Sequence, residues 1–145
     1  MNHRITKYFN IKELVSAQVY ARYGEFAWNV FDTRLLDVLV WLREGLGIPL
    51  VCNTKQHQQR GFRENICQIV KDKTKSGQLY LSGHTLGKAV DLSSGAMSAK
   101  EIRKWIRANI DSCPWPIRIE NDKSAPNWVH VDVMNNTSKL IEFSA

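Results

Sequence analysis

The sequence predicts an α+β fold in which helices pack on a small, mainly antiparallel sheet. Three observations predict it. Apolar residues recur at helical spacing over 32–46 and again over 98–110. Period-two alternation marks the final third of the chain. Helices therefore come first and strands are concentrated later, the order of an α+β fold.

Taken in order, Asn10 followed by Glu13 has the form of a helix cap and opens a short helix through Leu14 and Val15. Val19, Tyr23, Phe26, Ala27 and Val30 keep helical spacing across 17–30, weakened by Gly24. Asp32 caps a stronger helix with Leu35, Leu36, Leu39, Leu42 and Leu46 on one face and Arg34, Asp37, Arg43 and Glu44 largely outside it. Gly45 and Gly47 are placed to end that helix, and Pro49 prevents its resumption. Ile48 to Cys52 reads as a short strand. Ile66, Ile69 and Val70 suit a helix after an irregular turn around Gly61. The charged run Lys71 to Lys75, ending at Ser76-Gly77, reads as a solvated loop. Leu79 to Ser82 leads into a strand over Ala89 to Ser93. Ser98 and Glu101 form a capping box for a helix burying Ile102, Trp105, Ile106 and Ile110, stopped by Pro114 and Pro116. Ile117–Glu120, Trp128–Val133 and Leu140–Phe143 read as three strands.

No repeat, low-complexity run or linker divides the 145 residues, so one domain over 1–145 is expected. With 43% hydrophobic and 23% charged residues, wholesale disorder is excluded. The longest apolar stretch, Leu35 to Leu42, is cut by Asp37 and falls far short of the ~20 residues of a membrane span. The N-terminal segment has no uninterrupted apolar run after its basic residues and does not read as a secretory signal. A net charge of +6 favours an anionic partner: nucleic acid, anionic cell wall or acidic peptide. The chain lacks a basic recognition helix or aromatic repeat, which argues against specific nucleic-acid binding. Cys52, Cys67 and Cys113 show no paired metal spacing and read as reduced, mostly buried thiols.

Two of the four histidines stand in contexts that suit a metal. Alternation over 128–133 puts Trp128, His130 and Asp132 on one face and Val129, Val131 and Val133 on the core side. Gly83 and Gly87 allow a tight path around His84 before the strand, where Asp91 alternates away from Val90 and Leu92. Two imidazoles and a carboxylate leave a fourth tetrahedral position free, as a catalytic zinc site requires. His57 sits in a Gln-rich polar segment and reads as a loop residue, and His3 belongs to the terminus. Trp41 and Trp105 fit helix packing.

The pattern Ser82-x-His84-x-x-Gly87-x-Ala89-x-Asp91, joined to the later Trp128-Val-His130-Val-Asp132, resembles the signature of the zinc D-Ala-D-Ala carboxypeptidase and L-alanyl-D-glutamate endopeptidase family. That family includes phage endolysins, and its metal fold resembles the Hedgehog signalling domain. Tyr8 to Leu14 resembles the family's opening helix, Leu35 to Cys52 its helix and first strand, and Gly61-Phe62-Arg63 the Gly-Tyr-Arg ahead of its first histidine. The resemblance runs from about Lys7 to Val133. It implies a zinc ion held by His84, Asp91 and His130, with Arg63 orienting substrate or stabilising charge on the attacked carbonyl oxygen; Arg60 competes for that role. Ser82 is implied as a hydrogen-bonding residue that shapes the motif; Trp128, by its place on the His130 face, reads as a cleft wall.

One position departs from the family. Many members carry Glu or Asp three residues before the second histidine as general base; here it is Asn127. Glu120, Asp132 and Asp122 are the available carboxylates, and Glu120 is favoured if its strand pairs with that of His130. Asp132 serves equally as a partner that orients His130. The expected function is a zinc peptidase hydrolysing an amide bond in the peptide part of peptidoglycan. The alternative is a zinc-binding cell-wall or structural module without hydrolytic activity. A monomer is expected, made in the cytoplasm without a signal and reaching the wall after holin-type release, as a phage or prophage lysis protein would.

Overall fold

Helices α1 (Ala17–Tyr23), α2 (Thr33–Leu46), α3 (Gln68–Lys75) and α4 (Ala99–Asn109) and strands β1 (Ala89–Leu92), β2 (Ile117–Glu120), β3 (Val129–Asp132) and β4 (Leu140–Phe143) make up the fold. The computed structural model describes residues 4–75, 77–134 and 137–145; His3 and Ser76 lie outside that set. The sheet order is β1-β3-β2-β4. The pairs β1–β3 and β2–β3 are antiparallel and β2–β4 is parallel, so the sheet is mixed with antiparallel pairing in the majority.

The caps read from sequence do their work locally. Asn10 accepts from Lys12 and Glu13 reaches back to the Asn10 amide, but the element they start is a single 3-10 turn, Ile11–Glu13. Asp32 caps α2 through the Arg34 amide, and Ser98 with Glu101 closes the capping box of α4. The helical pattern over 17–30 is broken at Gly24, where α1 gives way to a 3-10 segment, Gly24–Val30.

Helix α2 is buried on more than its leucine face, since Val38 and Val40 are also inside. It touches both the Ile5–Lys7 turn and α4. Gly45 does not end α2; it lies within it. A Cβ there would meet the Trp105 ring at 2.3 Å, so the glycine admits the indole, which also packs at a tilt against Trp41, 5.0 Å between centroids. The helix ends at Gly47, whose amide donates to the Arg43 carbonyl.

Two expectations are corrected. Residues 48–52 form no strand, only an isolated antiparallel bridge from Val51 to Ser93. The next ladder position is Pro49, which has no amide proton to extend the pairing. Residues 71–75 belong to α3 and are not a loop. Their side chains are solvated, but buried Cys67 and Val70 anchor the helix, and Thr74 Oγ1 bonds the Val70 carbonyl at 2.7 Å.

The inner face of the sheet, with Val90, Leu92, Ile117, Ile119, Val129, Val131 and Val133, joins α2 and α4 in the hydrophobic cluster. At ~25 cal/mol per Å² of buried apolar surface, this burial is the main term holding sheet to helices. A charged side chain of α4, Arg103, is fully buried. It pairs with Asp122 at 2.5 Å and donates to the carbonyls of Ala125 and Trp128 at 2.7 and 2.9 Å, pinning the β2–β3 connection to α4. The three cysteines are buried and free. Among the described residues no helix is long and apolar enough to cross a membrane.

Candidate metal centre

Strand register assembles the outer face of the sheet. Asp91 on β1 lies directly opposite His130 on β3. On the other side of β3, Arg118 lies opposite Asp132, so Glu120, two residues along β2, flanks His130. Because side chains alternate, all five polar groups share the face opposite the valines.

His84 reaches this face from the loop before β1. The Ser82 amide donates to Thr85 Oγ1 at 3.0 Å, which turns the chain and sets His84 above Asp91. The segment 61–63 then locks it. The Gly61 carbonyl accepts from His84 Nδ1 at 2.9 Å, and the Arg63 amide donates to the His84 carbonyl at 3.2 Å. Gly61 must be glycine for this approach, since a Cβ would sit 2.0 Å from the Leu14 carbonyl oxygen.

Each imidazole is thus held by its outer nitrogen: His84 Nδ1 by Gly61 O, and His130 Nε2 by Asp132 Oδ2 at 2.8 Å. These partners assign the inner nitrogens as His84 Nε2 and His130 Nδ1. The inner nitrogens face Asp91, at 3.4 Å to Oδ2 and 3.0 Å to Oδ1 respectively. One ligand atom from each of the three residues lies within 4.8 Å of the others, and all three residues are buried. Two imidazole nitrogens, each oriented by a hydrogen bond on the opposite ring nitrogen, and one carboxylate oxygen could hold a metal ion.

The charges of the group are tightly coupled. Burial alone would raise the Asp91 carboxyl, but hydrogen bonds from His130 and His84 and their charge hold it well below the ordinary carboxylate range. Burial opposes the charged form of His130, yet hydrogen bonds to Asp132 and Asp91 and their charges raise it to about 9. Asp132 is likewise lowered against its burial, by His130 and by Arg118, whose Nε and Nη2 donate to its two oxygens at 2.9 Å each.

The group lines a cleft of about 360 Å³ that also includes Arg63, Leu81, Ser82, Arg118, Glu120, Trp128 and Phe143. Arg63 Nη2 stands 3.8 Å from Asp91 Oδ2, its Nε donates to the Gln59 carbonyl and its Nη1 to the Tyr80 hydroxyl. Arg60 does not line the cleft; its carbonyl accepts from the Asp91 amide. Glu120 Oε1 is 3.6 Å from His130 Nδ1, beside the three-residue group and outside it. Asp132 is fully buried and spent on His130, Arg118 and the Met134 amide, which makes it a partner of His130 with no oxygen free for proton transfer. Asp122 is tied to Arg103 away from the cleft, Asn127 is exposed outside it, and His57 is an exposed loop residue.

Sequence reasoning missed Arg118, Tyr80 and Phe143. Arg118 was within reach, since alternation along β2 puts it on the same face as Glu120. Phe143 arrives on β4 and packs edge-on to His130, with ring centroids 5.5 Å apart. Larger hollows exist, one of about 440 Å³ between Lys12, Tyr20 and Gln58, but none of them gathers the His/Asp group. Comparison of the chain with protein-family models, curated proteins and solved structures returned no match.

Proposed function

We propose that this chain is a zinc-dependent peptidase acting on an amide bond in the stem or cross-link peptides of peptidoglycan. The observation that carries the reading is the convergence of His84 Nε2, Asp91 and His130 Nδ1 on a cleft that also holds a carboxylate and an arginine. The resemblance of the Ser82–Asp91 and Trp128–Asp132 segments to the peptidase signature supplies the substrate class.

When bound, zinc supplies a Lewis acid that polarises a carbonyl and lowers the pKa of water. The residues of the chain do the rest. Arg63, held by Gln59 and Tyr80, presents a fixed positive charge for the oxyanion that develops on the attacked carbonyl. Glu120 takes the proton of the attacking water and returns it to the leaving amine. It replaces the acid that the family carries at the position of Asn127. Trp128 and Leu81 form apolar walls against the peptide. Asp132 keeps the proton of His130 on Nε2.

The test is incubation of purified peptidoglycan with zinc-loaded wild type and with Glu120→Gln, reading new amino groups and fragment masses. Release by wild type with a loss of 100-fold or more in Glu120→Gln supports both the activity and the base. Equal cleavage by both removes Glu120 from the mechanism. No cleavage by either, with zinc bound, favours a non-hydrolytic zinc module, the reading that Asn127 supports.

A further inference from the structure

Asn53 does not line the cleft, yet its hydrogen bonds lead to it. It follows the bridge that joins Val51 to Ser93, the residue after β1, and its own amide donates to the Glu13 carbonyl at 2.9 Å. Its backbone is therefore tied both to the Ile11–Glu13 turn and to the end of β1. From that frame the side-chain oxygen Oδ1 reaches across the loop 54–59. There it accepts two amides, from Arg60 at 3.2 Å and from Gly61 at 3.0 Å. Neither amide has another acceptor among the described residues.

The peptide plane joining Arg60 to Gly61 carries this hold to the His/Asp group. In a trans peptide the N–H and the C=O point in opposite directions on one rigid plane. Drawing the Gly61 amide onto Asn53 thus aims the Arg60 carbonyl the other way, where it accepts from the Asp91 amide at 2.7 Å. Strand β1 is an edge of the sheet, so this carbonyl is what seats Asp91 on the side away from β3. One residue further, the Gly61 carbonyl accepts from His84 Nδ1; its plane is also held by Leu14, whose carbonyl accepts from the Phe62 amide at 2.9 Å.

The other end of the Asn53 side chain shows which atom the position needs. Nδ2 is buried and has no partner among the described residues. A buried donor left unpaired is a cost, so the residue is explained by its oxygen. We infer that Asn53 is a positioning residue for the His/Asp group, acting through the 60–61 peptide on Asp91 and through Gly61 on His84. The inference rests on the zinc reading and deepens it: the grip on the metal depends on a side chain that never touches the cleft.

The test separates the oxygen from the rest of the side chain. Asn53→Ala removes the acceptor. Asn53→Asp keeps it and removes the unpaired donor, but it buries a charge and should lower Tm. By competition against a fluorescent chelator, zinc affinity should fall about tenfold in Asn53→Ala, the lower end of the effect of losing a group behind a ligand. In Asn53→Asp it should stay near wild type although Tm drops. A merely structural role would make zinc affinity follow Tm in both. Amide hydrogen exchange of the metal-free protein gives a second readout. The amides of Arg60, Gly61 and Asp91 should be protected in wild type and exchange faster in Asn53→Ala. Undiminished zinc binding by Asn53→Ala, or equal losses in both variants, overturns the inference while the zinc reading stands. So do unprotected Arg60 and Gly61 amides in wild type, a result that needs no variant to fold. Wild type that binds no zinc overturns the zinc reading, and the exchange pattern then decides by itself whether Asn53 places Asp91.

Discussion

Replacing Asp132 by Asn tests how the site holds its second histidine. Asp132 is fully buried and accepts four hydrogen bonds: His130 Nε2 at 2.8 Å, Arg118 Nε and Nη2 at 2.9 Å, and the Met134 amide at 3.1 Å. Asn has the same shape but one acceptor oxygen. Kept on the Met134 and Arg118 Nε side, that oxygen leaves the amide group facing two donors, Arg118 Nη2 and His130 Nε2. The imidazole can then satisfy the amide only by moving its proton from Nε2 to Nδ1, the nitrogen that faces Asp91. A metal on Nδ1 would force the proton back to Nε2 against the amide donor, so zinc affinity should fall about 10–100-fold, the usual effect of losing a partner that orients a ligand. Losing one charge-assisted bond should cost about 1.5–3 kcal/mol of stability. For 145 residues the unfolding entropy is roughly 0.3 kcal/mol/K, so Tm should drop by about 5–10 °C. Competition against a fluorescent chelator measures the first effect and thermal unfolding with and without zinc the second. A variant that binds zinc as tightly as wild type, folded and with lowered Tm, would refute the tautomer argument.

Three further outcomes are expected. Gly61→Ala puts a methyl 2.0 Å from the Leu14 carbonyl oxygen and must push aside the carbonyl that holds His84. Calorimetry should show a loss of about 1–3 kcal/mol, accompanied by weaker zinc binding, and unchanged values of both would sink the account of this glycine. Arg103→Met leaves the Ala125 and Trp128 carbonyls without their donor, while Asp122 is free to turn to water. A cost of about 3 kcal/mol, or roughly 10 °C in Tm, is expected, with zinc affinity affected less than in Asp132→Asn. Last, His130 in the metal-free protein is raised from 6.5 to about 9, so its protonation stabilises the fold fully below pH 6.5, and that contribution is lost as pH rises through 9. Zinc requires the neutral ring, so the rise in Tm on adding zinc should grow from pH 6.5 towards 9; a flat profile would remove His130 from the metal site.

Local signals in the sequence were legible wherever the physics is local. The caps at Asn10, Asp32 and Ser98 act within three residues, and each is present in the structure. Alternation over 117–120 and 128–133 separated the buried valines and isoleucines from the polar face. The strand expected at 48–52 failed because Pro49 breaks the ladder, a matter of which amide the neighbouring strand would need. The charged run at 71–75 was read as loop because it carries no apolar stripe of its own; its helix is anchored by Cys67 and Val70 just upstream. Gly45 was read as a stop signal, yet its reason is Trp105, sixty residues further on.

By itself, then, the sequence determined helices α2 and α4 and the four strands, their order, the two faces of the central strands and the chemical types at 84, 91 and 130. Tertiary structure decided the register that seats Asp91 and Glu120 on either side of His130. It also decided which nitrogen of each imidazole turns inward, through Gly61 and Asp132. And it joined Arg118 to Phe143 in the same cleft. Alternation along a strand says which side a residue faces but not what lies opposite. That is fixed by hydrogen-bond ladders and hydrophobic packing between segments about 40 residues apart in the chain, which only the folded core brings together.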